Sequence, residues 1–276
     1  MYVFLNGKFE LAGKAKVSVA DNGFLYGDGV YETLRTYGGK VWQAEVHLRR
    51  LRSSAKLLRI EVPWPDKKLS FWLERLCALN GFRESRIRIT VTRGANGMEF
   101  NDSRKPTLLI QCAELKEVSD EVIKKGVDVI TVKMKRLLPE AKTISLLPMI
   151  IARQAADAAK AYEALFTGEK GNVLEGTVTN VFIVKKGKVF TPGRGVLPGT
   201  TAGALIKAMR KSGIKVIKGR VAMAVLRRAD EVFLTNAPRG VIPVVRVDGR
   251  KIGTGKPGTM TRKIMAIFKE YVCRNI

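Results

Sequence analysis

The 276-residue sequence lacks several residues and motifs on which common catalytic sites depend. It contains a single histidine, His47, which excludes metal sites built from several histidines and disfavours a serine–histidine–aspartate triad. It has no P-loop, and no GxGxxG motif opens a strand–helix–strand unit. Phosphoryl transfer and hydride transfer on a dinucleotide-binding fold are therefore disfavoured.

Cysteines and long apolar runs are also scarce. Cys77, Cys112 and Cys273 lie far apart with no CxxC spacing, as expected for reduced, mostly buried residues of a cytosolic protein. Charged residues interrupt the apolar stretches well before the roughly 20 residues that a bilayer span needs. The first residues show no secretory signal pattern. These features predict a cytoplasmic protein without a membrane partner.

Acidic residues are few relative to basic ones. The chain has 50 Lys and Arg against 25 Asp and Glu, a net charge of +25. The basic residues form scattered pairs, such as Lys67-Lys68 and Arg227-Arg228, and no nucleic-acid-binding motif accompanies them. We expect no specific nucleic-acid partner, only weak adhesion to polyanions at low salt. Among nucleophiles lysine is abundant, and its usual partner in catalysis is a carbonyl cofactor.

The order of predicted elements indicates an α+β fold with two domains. Residues 1–115 alternate strand patterns with two helical patterns and form a small α+β domain. The polar residues 116–120 are the expected linker. Residues 121–276 carry many short strands with turn residues between them, and three helical patterns. They predict a larger, β-barrel-like domain with helices.

Four segments have residue patterns that suggest a functional site. Each also has a purely structural interpretation: in chain order, a plain loop, a solvated basic helix, a hairpin end and a capped helix. Glycines among polar residues indicate an ordered turn, and an arginine beside His47 on a helix is suited to holding a phosphate. A carboxylate beside a glycine lies where backbone can approach a ligand, and threonines at a helix start suit an anion. The segments are Asp21–Arg35, His47–Leu51, Glu175–Phe182 and Leu197–Thr201.

Together and in this order, the segments resemble the class IV aminotransferases, the fold-type IV pyridoxal 5'-phosphate (PLP) enzymes. This family includes branched-chain aminotransferases, D-amino-acid aminotransferases and aminodeoxychorismate lyases. The resemblance rests on YGDGxYE, HxxRL, a lysine well ahead of EGxxxN, and LPGxT, and extends from Asn6 to Lys263. It implies the fold-type IV architecture, with the second domain binding the cofactor.

The resemblance assigns the cofactor residues. It selects Lys142 as the catalytic lysine that holds PLP as a Schiff base and passes protons. Glu175 would face the pyridine nitrogen, with Asn180 supporting its loop, and Arg50 would grip the phosphate. Leu197 would pack on the ring. The remaining phosphate contacts would come from Thr200, Thr201, Thr235 and Asn236.

Substrate residues follow less uniformly from the resemblance. Tyr31 and Thr33 would border the substrate pocket, and Arg88 would bind a substrate carboxylate. Thr33 is lyase-like, and the carboxylate-binding Arg and His of D-specific enzymes are missing from Arg93–Phe100. Three functions remain open. They are transamination between an L-branched-chain or D-amino acid and a 2-oxo acid such as 2-oxoglutarate or pyruvate, elimination of pyruvate by an aminodeoxychorismate lyase, and nonenzymatic binding of polyanions. The resemblance also implies a homodimer or a higher homo-oligomer.

Overall fold

A computed structural model describes residues 1–95 and 105–276 of the chain. The contacts divide these residues into two compact units. The first comprises Met1–Lys116, Ala141–Leu146 and Ile276, and the second comprises Glu117–Glu140 and Leu147–Asn275. The ranges expected from the sequence placed all of 121–276 in the second domain. The structure instead groups the short segment around Lys142 with the first unit.

The first unit combines one antiparallel sheet with helices. Its strands are β1 (Tyr2–Leu5), β2 (Lys8–Leu11), β3 (Gly29–Tyr37), β4 (Lys40–Val41), β5 (Ser85–Thr92) and β6 (Thr107–Glu114), and its helices are α1 (Asn22–Tyr26), α2 (Ala44–Leu57) and α3 (Asp66–Asn80). Within the described residues the strand order is β2-β1-β6-β5-β3-β4. The long β3 and β5 pair from Gly29 opposite Thr92 to Arg35 opposite Arg86.

The core of the first unit lies between this sheet and helices α2 and α3. Leu48, Leu51 and Ala55 form the apolar stripe of α2, spaced as one face of a helix requires. Two polar residues, His47 and Ser54, are buried on the same helix. Buried polar side chains need hydrogen-bond partners, so these two positions indicate where α2 forms specific polar contacts in addition to apolar packing.

Within the segment for which the sequence predicts an ordered turn, residues Asn22–Tyr26 form the short helix α1. Asp21 is buried and caps α1, accepting a hydrogen bond from the Gly23 amide at 2.7 Å. Asp28 forms an ion pair with Arg93. Both aspartates therefore have structural roles, because their carboxylates are already occupied by partners within the first unit.

The second unit is built on a larger mixed sheet. Its strands are β7 (Val127–Lys133), β8 (Glu163–Thr167), β9 (Asn172–Gly176), β10 (Asn180–Lys185), β11 (Lys188–Pro192), β12 (Val216–Gly219), β13 (Val221–Ala222), β14 (Glu231–Asn236), β15 (Gly240–Val247) and β16 (Arg250–Lys251). Its helices are α4 (Asp120–Lys125), α5 (Leu147–Ala158), α6 (Thr200–Lys211), α7 (Met223–Arg227) and α8 (Thr259–Cys273). In the described chain the strand order is β12-β11-β10-β14-β15-β7-β8-β9-β13, with β16 beside β15.

The large sheet curves toward a closed barrel. Strand β11, near one edge of the sheet, also contacts β9 and β13, which lie at the opposite edge. One apolar cluster fills the interior, with Leu165, Ile183 and Leu234 fully buried. Helix α6 packs on β14 and on α8. This arrangement fits the β-barrel-like domain with helices that the sequence predicts.

Three smaller findings bear on the sequence-based expectations. Cys77, Cys112 and Cys273 are all free thiols; the first two are buried and the third is exposed. No helix within residues 1–95 and 105–276 is long and apolar enough to span a membrane. Helix α4 begins at Asp120, so a helix occupies the end of the expected linker and extends past it.

Candidate active site

The segment that carries Lys142 lies along one edge of β3. The Tyr31 amide donates to the Lys142 carbonyl at 2.9 Å, and the Ile144 amide donates to the Gly29 carbonyl at 2.9 Å. A Cβ on Gly29 would lie 2.7 Å from Ile144 Cδ1 and 2.8 Å from a β5 carbonyl, so only glycine admits this close approach. The backbone of Lys142 is thus fixed from two sides of the residue.

The side chain of Lys142 extends over an aromatic ring. Its Nζ lies 4.4 Å from the centroid of the Tyr31 ring, and the guanidinium of Arg88 lies 3.8 Å from the same centroid. Burial lowers the pKa of Arg88 below its ordinary value. Across the described part of the chain, no carboxylate forms an ion pair with either cation at this ring, which leaves positive charge for an anionic substrate.

Strand geometry explains which residues share this surface. Side chains alternate along a strand, so Tyr31 and Thr33 lie on one face of β3 while Glu32 lies on the other. Arg88 stands directly opposite Thr33 on β5, and therefore on the same face as Tyr31. The three residues expected to contact substrate are thus brought together with Lys142 within the first unit.

On the opposite face of β3, Glu32 joins two side chains of α2. Arg50 donates from Nε and Nη2 to the two carboxylate oxygens of Glu32, both at 2.7 Å. The Nδ1 of His47 lies 2.7 Å from Glu32 Oε2. Glu32 and His47 are essentially inaccessible to solvent, and Arg50 is nearly so. This bidentate pair fixes the orientation of the Arg50 guanidinium, the group expected to grip a phosphate.

The protonation states within this cluster follow from burial and charge. Burial by itself would raise the pKa of Glu32, but the charge and hydrogen bonds of Arg50, together with His47, lower it from 4.5 to about 2. Burial lowers the pKa of His47 below 6.5 and outweighs the opposing effect of Glu32. At neutral pH Glu32 is therefore ionised and His47 is neutral, with its Nδ1–H donating to the carboxylate.

Helix α2 connects this cluster to the lysine segment. His47, Arg50 and Ser54 are spaced by three and four residues and so share one side of the helix. Ser54 Oγ accepts a hydrogen bond from the Lys142 amide at 3.0 Å. One helix face therefore supports both the phosphate-binding candidate and the backbone of the candidate catalytic lysine.

In the second unit, the backbone of Leu197 links two of the expected cofactor residues. Its amide donates to Glu175 Oε2 at 2.9 Å, and its carbonyl accepts from Asn180 Nδ2 at 2.9 Å. The other carboxylate oxygen of Glu175 accepts from Arg136 Nη1 at 3.1 Å, in an ion pair buried on both sides. A Cβ on Gly199 would lie 1.9 Å from Asn180 Oδ1, so a larger residue here would displace the Asn180 side chain.

The N-terminus of α6 carries a buried hydroxyl without a partner in the described part of the chain. Thr200 and Thr201 begin the helix after Gly199, which provides no side-chain cap. Thr201 Oγ1 is buried and has no hydrogen-bond partner among residues 1–95 and 105–276, and the same holds for Thr235 Oγ1 on β14, against which α6 packs. Asn236 follows and accepts from the Arg239 amide at 2.9 Å, closing the turn. One orphaned buried hydroxyl at a helix N-terminus and a second on the strand that packs against this helix are donors that a phosphate would satisfy.

The structure also shows residues that motif matching did not assign to the site. Glu32 and His47 hold Arg50 in the first unit, Ser54 holds the Lys142 backbone, and Arg136 holds Glu175 in the second. Glu32, His47 and Ser54 had a detectable signal, since each is a polar residue in an otherwise apolar strand or helix stripe. Arg136 had none, because it follows Lys133 and Lys135 and no motif distinguishes it from an exposed arginine.

The whole chain is similar to known proteins. Residues 29–247 match the family model described as amino-transferase class IV. A Methanocaldococcus jannaschii protein, provisionally named a branched-chain-amino-acid aminotransferase, is 36% identical over 98% of this chain and 96% of its own. A Listeria monocytogenes D-alanine aminotransferase is 31% identical over 99% of this chain and 96% of its own. The crystal structure of the T.th. branched-chain amino acid aminotransferase with pyridoxamine 5'-phosphate superposes with a TM-score of 0.94. It is 28% identical and covers 99% of this chain and 94% of its own.

Proposed function

The chain belongs to the class IV aminotransferases, and on that premise we propose that it moves an amino group between a branched-chain L-amino acid and a 2-oxo acid. It is a PLP-dependent transaminase of fold type IV, as the sequence resemblance implied. The relatives named above are aminotransferases, which favours transamination over the elimination of pyruvate that also fitted the sequence. The observation that carries the proposal is the placement of Lys142 and Arg88 on one tyrosine ring.

The residues present fit PLP. In the second unit, the buried hydroxyls of Thr201, at the N-terminus of a 12-residue helix, and of Thr235, on β14, suit its phosphate. In the first unit, Arg50, which Glu32 orients, is proposed for the same group. Thr200 and Asn236 belong to the same two turns and complete the proposed phosphate contacts. When bound, PLP supplies an electron sink that stabilises negative charge at the substrate Cα.

We assign covalent attachment of the cofactor and proton transfer at the substrate Cα to the Nζ of Lys142. Its ammonium group forms no ion pair within the described residues that would have to be broken first, and its backbone is fixed by Tyr31 and Ser54. A rigid backbone keeps the amine within reach of the proton that it transfers.

Glu175 is proposed to pair with the pyridine nitrogen and keep it protonated. The Leu197 amide and Arg136 each hold one carboxylate oxygen, so the carboxylate is fixed in rotation. Arg136 also provides a positive charge beside Glu175, in an ion pair buried on both sides. Leu197, held in turn by Asn180, is proposed to pack on the cofactor ring.

For the substrate, Arg88 is proposed to bind a carboxylate, with Tyr31 and Thr33 bordering the side chain. The identity of 36% to the M. jannaschii relative exceeds that to the D-alanine enzymes, which favours the branched-chain class. Crystal structures of the T.th. enzyme contain 4-methylvaleric acid and N-(5'-phosphopyridoxyl)-L-glutamate. By analogy we propose leucine-like donors, with 2-oxoglutarate as acceptor.

The reaction class is tested with the cofactor-saturated protein and three separate donors, L-leucine, D-alanine and aminodeoxychorismate. We expect the cofactor spectrum to change with L-leucine, and glutamate to form when 2-oxoglutarate is added. Lys142→Ala should abolish both changes, whereas Lys14→Ala, at an exposed position of the same unit, should abolish neither. Turnover of D-alanine alone would reassign the substrate. Formation of 4-aminobenzoate without glutamate would overturn transamination.

The role of Arg88 is tested against its neighbour on the same strand. Arg88→Gln should raise the KM of the carboxylate substrates by about tenfold or more, the cost of one charge-assisted hydrogen-bonded pair. Arg86→Gln removes the same charge from an exposed position two residues away and should leave KM unchanged. Equal effects of the two substitutions would show that Arg88 does not contact the substrate.

We also propose a homodimer. Phe24 on α1 is 73% exposed and Val19 is 77% exposed, both in the first unit. Two large apolar side chains, both mostly exposed on one short stretch, are typical of a surface that a second copy covers. Sedimentation of the wild type and of Phe24→Glu tests this: the wild type should be a dimer and the variant should dissociate more readily. A wild-type monomer at micromolar concentration would refute it.

A further inference from the structure

A basic cavity lies in the second unit, and none of the residues assigned to the cofactor lines it. It has a volume of about 650 Å³ and is formed where the ends of β11 and β12 face the start of β9. Its walls are the buried Val173 and Pro192 and the backbone of Gly193 and Gly219. It shares no residue with the proposed PLP site.

The lining of this cavity carries charge of one sign. Lys170, Arg194, Lys218 and Arg220 surround it, and its lining includes no carboxylate. In the described ranges no acidic side chain forms an ion pair with any of the four. Other exposed cations of this unit do have such partners, for example Lys135 with Glu169 and Lys185 with Asp230. Four unneutralised cations around one cavity repel one another, and a multivalent anion would relieve that repulsion.

The frame of the cavity is held by backbone hydrogen bonds. The Gly193 amide donates to the Gly219 carbonyl at 3.1 Å, joining the ends of the parallel strands β11 and β12. Arg220 donates from Nη2 to the Lys170 carbonyl at 3.2 Å, which ties the β8–β9 turn to the residue after β12. The cations therefore project from a fixed frame rather than from separate mobile loops, and less order has to be gained on binding.

The chemistry of the lining limits the ligand. The volume is typical of a site for a small molecule. Asn172 is the remaining polar side chain, and the lining has no aromatic residue on which a base could stack. We propose that this cavity binds a small oligophosphate, either inorganic or the phosphate chain of a nucleotide, recognised through its charge. This inference is independent of the proposed function and gives part of the +25 net charge a specific role.

The test uses cofactor-saturated protein from which free PLP has been removed, so that the phosphate contacts of the proposed PLP site are occupied. Binding of tripolyphosphate is measured by titration calorimetry on the wild type, on Arg194→Gln with Lys218→Gln, and on Lys67→Gln with Lys68→Gln. The last pair removes the same charge from exposed positions of the first unit. Equal thermal midpoints show that all three proteins are folded.

We expect one saturable site in the wild type, about tenfold or weaker binding in the cavity variant, and unchanged binding in the control. ATP and tripolyphosphate of equal affinity would identify the phosphate chain as the whole ligand, and tighter ATP would add a nucleoside contact. Both results support the site. Equal weakening in the control pair, or heats that do not saturate, would overturn it. So would a short oligothymidylate that binds more tightly than tripolyphosphate and loses that affinity in the cavity variant, since it would indicate a nucleic-acid surface.

Discussion

Replacing Glu32 with glutamine should destabilise the first unit strongly although it removes no volume. Glu32 accepts two hydrogen bonds from Arg50 and one from His47 in surroundings closed to solvent. The amide has no negative charge and presents an N–H₂ group to one of these donors. Arg50 would then keep its charge near a neutral partner, the arrangement that makes broken buried ion pairs costly.

The magnitude follows from the lowered pKa of Glu32. A fall from 4.5 to about 2 means that the folded state favours the ionised carboxyl by roughly 3 kcal/mol, at about 1.4 kcal/mol for each tenfold change. Replacing the Glu32 carboxylate with a neutral amide removes this stabilisation at neutral pH. We therefore expect Glu32→Gln to lose about 3 kcal/mol, within the range found when one partner of a buried pair is removed.

The contribution of Glu32 to the stability of the folded state depends on pH. The folded-state pKa is lower than the unfolded value, so the contribution of Glu32 is complete above pH 4.5 and is lost as the pH falls toward 2. The wild type should lose stability through this window, whereas Glu32→Gln should not lose this contribution. The difference between the two proteins should therefore shrink in acid.

Native-state hydrogen exchange of amides in β3 and α2 measures this difference without assuming that both units unfold together. Asp66→Asn is the control, since Asp66 pairs with Arg52 at the same 2.7 Å but on the surface of the same unit. Exposed pairs contribute less than about 1 kcal/mol. Equal losses in the two variants, or a loss for Glu32→Gln that does not change between pH 6 and pH 3, would refute the assignment.

Three further predictions follow from the site. The chain's only imidazole, His47, should stay neutral as the pH falls below 6.5, so its ¹⁵N shifts should not titrate there; titration at 6.5 or above would contradict its burial against Glu32. Gly199→Ala should destabilise by about 1–3 kcal/mol and weaken cofactor retention because its Cβ meets Asn180, while Gly203→Ala on the same helix, with open space, should stabilise slightly. Thr201→Val should lower PLP affinity with little loss of stability, since Thr201 Oγ1 has no partner to lose among the residues that the structure describes; unchanged affinity would remove it from the phosphate contacts.

Periodicity in the sequence was sufficient to locate most of the first unit. Apolar residues recur at helical spacing from Ala44 to Leu58, and α2 runs from Ala44 to Leu57. The strand patterns of the same region correspond to β3 and β5. These elements are amphipathic, so the pattern of one strand or helix alone reveals which face is buried.

The strands of the second unit were harder to predict from the sequence, because they are buried on both faces and lack an alternating apolar–polar pattern. Strand β15 runs from Gly240 to Val247 with Pro243 inside it, although proline lacks the N–H that a central strand normally uses. Pro243 lies opposite Phe233 on β14, and the ladder to β7 shifts register just beyond it. The sequence rule against proline in a central strand fails here, because only knowledge of both neighbours shows that the missing donor is tolerated.

The site shows the same division between local and tertiary information. The family resemblance identified Lys142, Glu175 and Arg50 as candidates. Arg50 and Glu175 lie in short segments of distinctive composition, whereas Lys142 was selected by the resemblance alone. The resemblance did not show that residues 141–146 join the first unit, since that depends on pairing with β3, more than a hundred residues earlier. Glu32 stands between the two kinds of information: it lies within the YGDGxYE motif, yet its role depends on a helix that follows. A carboxylate on the inner face of a buried strand needs a buried cation, and Arg50 lies near the sole histidine on the helix that follows. The Glu32 cluster is therefore predictable from the sequence only when buried polar residues are considered in pairs, since each motif alone does not reveal it.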